Sequence, residues 1–303
     1  MLPLINYQQY FKNNVLIISG VGRSGTTILG KLIGSMENTI YLFEPAIMKY
    51  FPMLWYKEIN MDNSWKSYPG GFLEQMFLGT LFEDYILPIV QGRSLNTNPS
   101  DWTYYQNHIT EKELKNRWKL SRREQAVEWF EKNNPKIIIK TNEAQHLFFI
   151  FENLFYGCKF IHIIRNGLDT IADSLDRGWF KSDYPAIEFA TGSVPLYVDK
   201  QARRYWHDQN PVTKAACTWR CLVDVEDKEN IWQFKYEDFC QNPKGYIEKA
   251  ALKYFMKETE ITERHIESVK KFKASDLSKV NEEDIQEPER QKFKDMMIKI
   301  GYN

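Results

Sequence analysis

Between Val15 and Thr27 the chain reads VLIISGVGRSGTT, an apolar run that breaks into three glycines, one arginine and three hydroxyl residues before the helix-like ILGKLIGSM. A strand feeding a glycine turn and then a helix start aims backbone N–H groups and the positive end of the helix dipole at one point, which is the local recipe for holding an anion. Gly20, Gly22 and Gly25 let a ligand approach the backbone closely. Ser24, Thr26 and Thr27 add hydroxyl donors, and Arg23 places a permanent positive charge inside the loop. Against the phosphate loop G-x-x-x-x-G-K-[ST], the stretch Gly20 to Thr27 keeps both outer glycines and the final Thr, but Thr26 stands where the lysine belongs. That departure disfavours an ordinary nucleoside triphosphatase or kinase.

Other chemistry-bearing residues sit at the ends of apolar runs. Lys159 to Asp169, KFIHIIRNGLD, is a strand-like run ending in Arg165 and followed by a helix start. An arginine there can pair bidentately with a phosphate. Lys140 closes the run Lys136–Lys140, and Glu44-Pro45 closes the run Thr39–Phe43. After Lys140-Thr141 comes Asn142, which accepts no proton at neutral pH, and then Glu143, with His146 behind it.

These positions need a scaffold. Five β-rich runs, Val15–Ser19, Thr39–Phe43, Lys136–Lys140, Lys159–Ile164 and Ile231–Lys235, alternate with helix-like segments, and their continuous apolar character suits strands covered on both faces. The predicted class is α/β, a mostly parallel sheet with flanking helices, whose ligands gather at the carboxyl ends of the strands. One domain spanning residues 1–303 is expected, with aromatic-rich variable segments near 51–134 and 179–210 that shape an acceptor pocket or lid. His146 to Tyr156, interrupted by Glu152 and Asn153, reads as a core helix and falls well short of the ~20 apolar residues needed to cross a bilayer.

Lys plus Arg and Asp plus Glu each total 40, so no global field draws nucleic acid or an anionic membrane, and any anion site is built locally. The first residues lack the charged start and apolar core of a signal peptide, and four cysteines without zinc spacing fit a reducing compartment, so a cytoplasmic location is expected. Cys217 and Cys221 read as small buried side chains. No pattern in the chain speaks to oligomeric state.

Arg23-Ser24-Gly25-Thr26-Thr27 resembles the 5'-phosphosulfate loop [KR]-S-G-T-[TS] of sulfotransferases that use 3'-phosphoadenosine-5'-phosphosulfate (PAPS). Arg165 and the helix start after it are similar to the family's 3'-phosphate motif. Tyr236-Glu237-Asp238-Phe239 with Pro243 is similar to its late strand motif, where Glu237 and Asp238 are expected to cap a helix. The closing Ile300-Gly301-Tyr302 resembles bacterial members. In the 3'-phosphate motif a serine follows the arginine by eight positions, but here that place is Asp173, whose charge would repel a phosphate. Ser174 comes one later and would need a π-like widening or an inserted residue to reach the ligand.

The resemblance implies a P-loop-like sulfotransferase fold and an enzyme that moves a sulfuryl group from PAPS to an acceptor, releasing PAP. The acceptor would be a small molecule or carbohydrate. Gly22, Arg23, Ser24, Gly25, Thr26, Thr27, Arg165 and Ser174 would bind the donor. Arg23 and Lys140 would balance charge without a metal, because a sulfuryl group is less anionic than a phosphoryl. Lys140-Thr141 resembles the family's K-T pair. Where many members continue with a histidine base this chain has Asn142, so the base is expected at Glu44, whose Glu-Pro resembles carbohydrate sulfotransferases, with Glu143 as rival. Partial burial is expected to tune Glu44 toward neutral pH. A P-loop kinase or a PAP-binding module without turnover is the competing reading.

Overall fold

The computed structural model describes residues 7–48, 71–91, 116, 119–120, 122–142, 144–180, 194–195, 197–226, 228–269 and 280–302. Its centre is a sheet of five parallel strands: β1 (Val15–Ser19), β2 (Thr39–Phe43), β3 (Lys136–Lys140), β4 (Lys159–Ile164) and β5 (Ile231–Lys235). All five coincide with the runs expected from the sequence, and the α/β class with it. The strand order is β2-β3-β1-β4-β5. The chain leaves β1 toward β2 on one side and leaves β4 toward β5 on the other, so a crevice opens between the carboxyl ends of β1 and β4, where such sheets bind ligands.

The middles of β1 to β4 are mostly apolar because each face of the sheet has its own cover. Val15, Ile17, Ile40, Leu42, Ile137, Ile139 and Phe160 point into one core, which also takes Phe77, Leu81 and Phe82 from the helical stretch beginning with α2 (Gly71–Thr80) and Phe130 from α3 (Arg123–Asn133). The alternate residues Leu16, Ile18, Tyr41, Ile138, Ile161 and Ile163 point into the opposite core, closed by Leu29, Leu32 and Ile33 of α1 (Thr26–Gly34). Burying each such side chain contributes about 1.5–3 kcal/mol.

The helix expected over His146 to Tyr156 is a 3-10 turn, Gln145–Leu147, running into α4 (Phe148–Leu154). Next come α5 (Gly167–Asp176), which leaves β4, and α6 (Pro211–Val223). They pack with the last helix, α7 (Glu289–Lys299), around a further cluster holding Trp219, Trp206 and Phe293. Trp206, in the variable segment near 179–210 expected to shape an acceptor pocket or lid, is therefore core packing, 5% exposed, and Trp179 packs against the same cluster. Much of the two variable segments, with Trp55, Trp65, Trp102, Tyr104 and Tyr105, lies outside the described residues. No helix among the described residues is long and apolar enough to cross a membrane.

Candidate active site

The loop between β1 and α1 turns sharply. Arg23 and Gly25 both take positive φ, 75° and 85°, and Gly25 is the residue that caps α1, without a capping side chain for the first-turn amides. A Cβ added at Gly25 would stand 2.3 Å from Cδ2 of Tyr236, so glycine is required there on two counts, the left-handed backbone and the aromatic wall behind it. A Cβ at Gly20 would meet the Ile163 carbonyl at 2.5 Å, which is how the loop stays pressed against β4.

Inside this turn Gly22, Ser24 and Thr26 are buried, and Arg23 and Thr27 are exposed. The Ser24 hydroxyl is fully buried and has no hydrogen-bond partner among the described residues. An unpartnered buried hydroxyl costs about 1–3 kcal/mol unless something meets it, and here it lies at an uncapped helix start. Partial desolvation, then the positive charges of Arg177 and Arg165, push the Arg23 guanidinium below the ordinary arginine range, with Asp173 opposing, although Arg23 as a whole is exposed. Arg177, just beyond α5, thus belongs to the same cationic neighbourhood.

The carboxyl ends of β2 and β3 bring the next residues in. Glu44 follows β2 at a positive φ of 44°, its N–H bonded to the Lys140 carbonyl at 2.8 Å. Lys140 ends β3 with a side chain 1% exposed, ion-paired through Nζ with Oε1 of Glu44 and lying over the Phe43 ring at 4.8 Å. The Asn142 amide donates to Glu44 Oε1 at 2.7 Å, and its own Oδ1 accepts the Thr26 hydroxyl at 2.7 Å. A continuous polar chain therefore runs from the glycine loop through Thr26 and Asn142 to Glu44 and Lys140. The Glu44 side chain is 22% exposed and rests on the Lys140 ammonium group. Glu143, the rival base, lies outside the described residues.

Across the crevice, Arg165 is 6% exposed. Its Nη1 donates to the Arg23 carbonyl at 2.9 Å and to Asp173 Oδ2 at 2.5 Å, and Nη2 lies 4.0 Å from Asp169 Oδ2. The Trp219 indole N–H holds the Arg165 carbonyl at 3.0 Å, and the Tyr236 ring lies 5.5 Å from its guanidinium. The Asn166 side chain caps α5 by accepting the N–H groups of Leu168 and Asp169.

Ser174 does not share the Asp173 direction. Consecutive residues of an α-helix are turned by about 100°, and Ser174 points into the core, 3% exposed, donating its hydroxyl to the Thr170 carbonyl at 2.7 Å. No π-like widening rotates it outward, since Gly167–Asp176 is a regular α-helix.

Glu237 differs from expectation too: instead of capping its own helix it accepts the Asn166 N–H at 2.9 Å and the Tyr302 hydroxyl at 2.6 Å, tying the ends of β4 and β5 to Tyr302. Sequence reasoning did not anticipate Asn142 as a bridge, Asp173 as the counter-ion of Arg165, or Tyr236 as the wall behind the loop. Only Asp173 left a signal, its spacing from Arg165.

No family model and no curated protein matches the chain. Among solved structures it is similar to the sulfotransferase domain from the Synechococcus PCC 7002 olefin synthase, at 13% identity with 96% of each chain covered and a TM-score of 0.52. It is also similar to the sulfotransferase domain from the curacin biosynthetic pathway, at 15% identity over 96% of this chain and 98% of that one, with a TM-score of 0.49. A third, sulfotransferase STF9 from Mycobacterium avium, is 12% identical over 96% of this chain and 78% of its own, with a TM-score of 0.46. With a five-stranded parallel sheet in the order β2-β3-β1-β4-β5 and the olefin synthase domain matched over 96% of its length, the chain has the α/β fold of a sulfotransferase domain.

Proposed function

We propose that the chain transfers the sulfuryl group of PAPS to a hydroxyl, or to an amine or amide nitrogen, of a small-molecule or carbohydrate acceptor, releasing PAP. The observation that carries this reading is the polar chain from the glycine loop to the Lys140–Glu44 pair, beside a buried Ser24 hydroxyl that lacks a protein partner. The loop fits a 5'-phosphosulfate: an orphaned donor, a left-handed Gly25 against Tyr236 that leaves no room for a side chain, and an uncapped helix start. Bound there, the nucleotide would supply the activated sulfuryl group.

The residues divide the remaining work. Gly22, Arg23, Ser24, Gly25, Thr26 and Thr27 would hold the 5' end through backbone N–H groups, hydroxyls and one guanidinium, and Arg165 would face the nucleotide's 3' side. Lys140, almost wholly buried, would balance charge developing on the departing oxygen, where a fixed cation away from water acts strongly. Glu44 would take the acceptor's proton, its carboxylate aimed by the Asn142 amide. Sulfuryl transfer asks chiefly for in-line positioning and charge balance, and these groups supply both.

The test is binding followed by turnover. PAP should raise the melting temperature as a ligand of the native state does, with ATP and magnesium producing far less, and labelled PAPS should be consumed in EDTA with an acceptor panel. If PAP leaves the melting temperature unmoved, the donor assignment is wrong.

A further inference from the structure

Asp173 stands on the guanidinium that the proposed function assigns to the 3' side of the nucleotide. Arg165 Nη1 carries two N–H groups, and both are spent inside the protein, one on the Arg23 carbonyl at 2.9 Å and one on Asp173 Oδ2 at 2.5 Å. The Asp173 side chain is 23% exposed against 7% for Arg165, so the carboxylate lies on the solvent side of the pair. Asp169 adds a second acid 4.0 Å from Nη2, and its Oδ1 is buried without a hydrogen-bond partner among the described residues. Spacing explains the arrangement. Asp169 and Asp173 follow Arg165 by four and eight positions, which puts both on the face of α5 that meets the arginine, whereas Ser174, a hydroxyl that would carry no charge, is turned into the core.

The geometry points to Asp173 as a tethered anion that occupies the phosphate position on Arg165 and thereby sets the protein's affinity for a 3'-phosphorylated nucleotide. This rests on the reading of the crevice as a PAPS site. A 3'-phosphate must displace the carboxylate from Nη1 or lie beside it, and either route weakens binding relative to an uncharged residue in its place, because two anions then share one guanidinium. The 5' end is held mainly by backbone N–H groups and hydroxyls of the glycine loop, so it feels Asp173 less, through the carboxylate's electrostatic influence on Arg23. Discrimination for the 3'-phosphate is therefore low in this chain, and Asp173 is the residue that limits it.

The experiment is calorimetry of PAP and of 5'-AMP, at one ionic strength, against the wild-type chain, Asp173→Asn and Asp173→Ser, with a thermal melt of each protein to establish that it is folded. The expected result is that both variants bind PAP about tenfold or more tighter than wild type, the scale of a recovered charge-assisted contact, while 5'-AMP moves by less than about threefold. Unchanged or weaker PAP binding in both folded variants, or an equal gain for 5'-AMP, overturns the role of Asp173 alone. Absence of binding by either nucleotide to all three folded proteins removes the nucleotide site itself, and the inference falls with it.

Discussion

The Asn142 side-chain amide donates to Oε1 of Glu44 at 2.7 Å, while its carbonyl oxygen accepts the Thr26 hydroxyl at the same distance. One side chain thus connects the first residue of α1, in the anion loop, with the carboxylate that ends β2. The bond fixes which way the amide faces and gives Glu44 a neutral donor beside the Lys140 cation.

Removing that side chain should loosen the carboxylate, and although it also frees the Thr26 hydroxyl, the loop keeps its backbone N–H groups, Ser24 and Arg23 for the nucleotide. Asn142→Ala is expected to lower kcat by about tenfold or more, the scale of one hydrogen bond to a charged group, and to leave PAP affinity within about threefold. Steady-state kinetics with calorimetry on the same preparation checks both. Equal losses in PAP binding and kcat would mean that Asn142 serves the loop and not Glu44.

Glu44→Gln separates binding from chemistry more sharply. Glutamine keeps the size and one oxygen but accepts no proton, so PAP affinity should stay while kcat falls by ~10²–10⁴-fold on a weakly acidic hydroxyl acceptor. Glu143→Gln measured alongside decides between the two carboxylates. A Glu44→Gln kcat within about threefold of wild type would end its candidacy as base.

The two arginines should fail differently. Arg23 is exposed, and Arg23→Ala should weaken PAP by roughly 1.5–3 kcal/mol with little change in melting temperature. Arg165 is buried against Asp173 and Asp169, so Arg165→Ala leaves acids without their counter-ion and should cost stability as well as PAP affinity. Burial has already pushed the Asp169 carboxyl above its ordinary range, with Arg165 as the opposing influence. Differential scanning calorimetry on both variants is the check, and equal melting temperatures would contradict it.

A pH effect follows from His162 on β4. It is fully buried with neither ring nitrogen hydrogen-bonded among the described residues, and burial pushes its pKa down to about 3. The unfolded chain titrates this histidine near 6.5, so between the two values the unfolded state binds a proton that the folded state refuses. Stability is therefore complete above ~6.5 and declines as pH falls through the window, by about 1.4 kcal/mol per pH unit for one proton. His162→Leu removes this component. Between pH 7 and pH 5 the wild type should lose about 2 kcal/mol more unfolding free energy than the variant, measured by urea denaturation; parallel pH curves would refute the assignment.

The strands and the anion loop were legible in the sequence because their causes are local. Runs such as IIIK and FIHII are apolar at nearly every position without alternating, as suits a strand covered on both faces, and Gly25 with its hydroxyl neighbours encodes a turn and a helix start within a few residues. What the side chains do to one another was decided by the tertiary structure. Glu44, Thr26 and Asn142 meet across 98 and 116 residues of chain because β3 lies between β2 and β1, an order that no local pattern announces. The Asp173 spacing was visible as a departure from a motif, but the choice between Asp173 and Ser174 at Arg165 was made by helix rotation: one residue, about 100°, sends the carboxylate to the guanidinium and the hydroxyl into the core. Trp206 shows the same division, since an aromatic in a variable segment reads alike whether it lines a pocket or fills a core, and only the packing of α5, α6 and α7 places it in the latter.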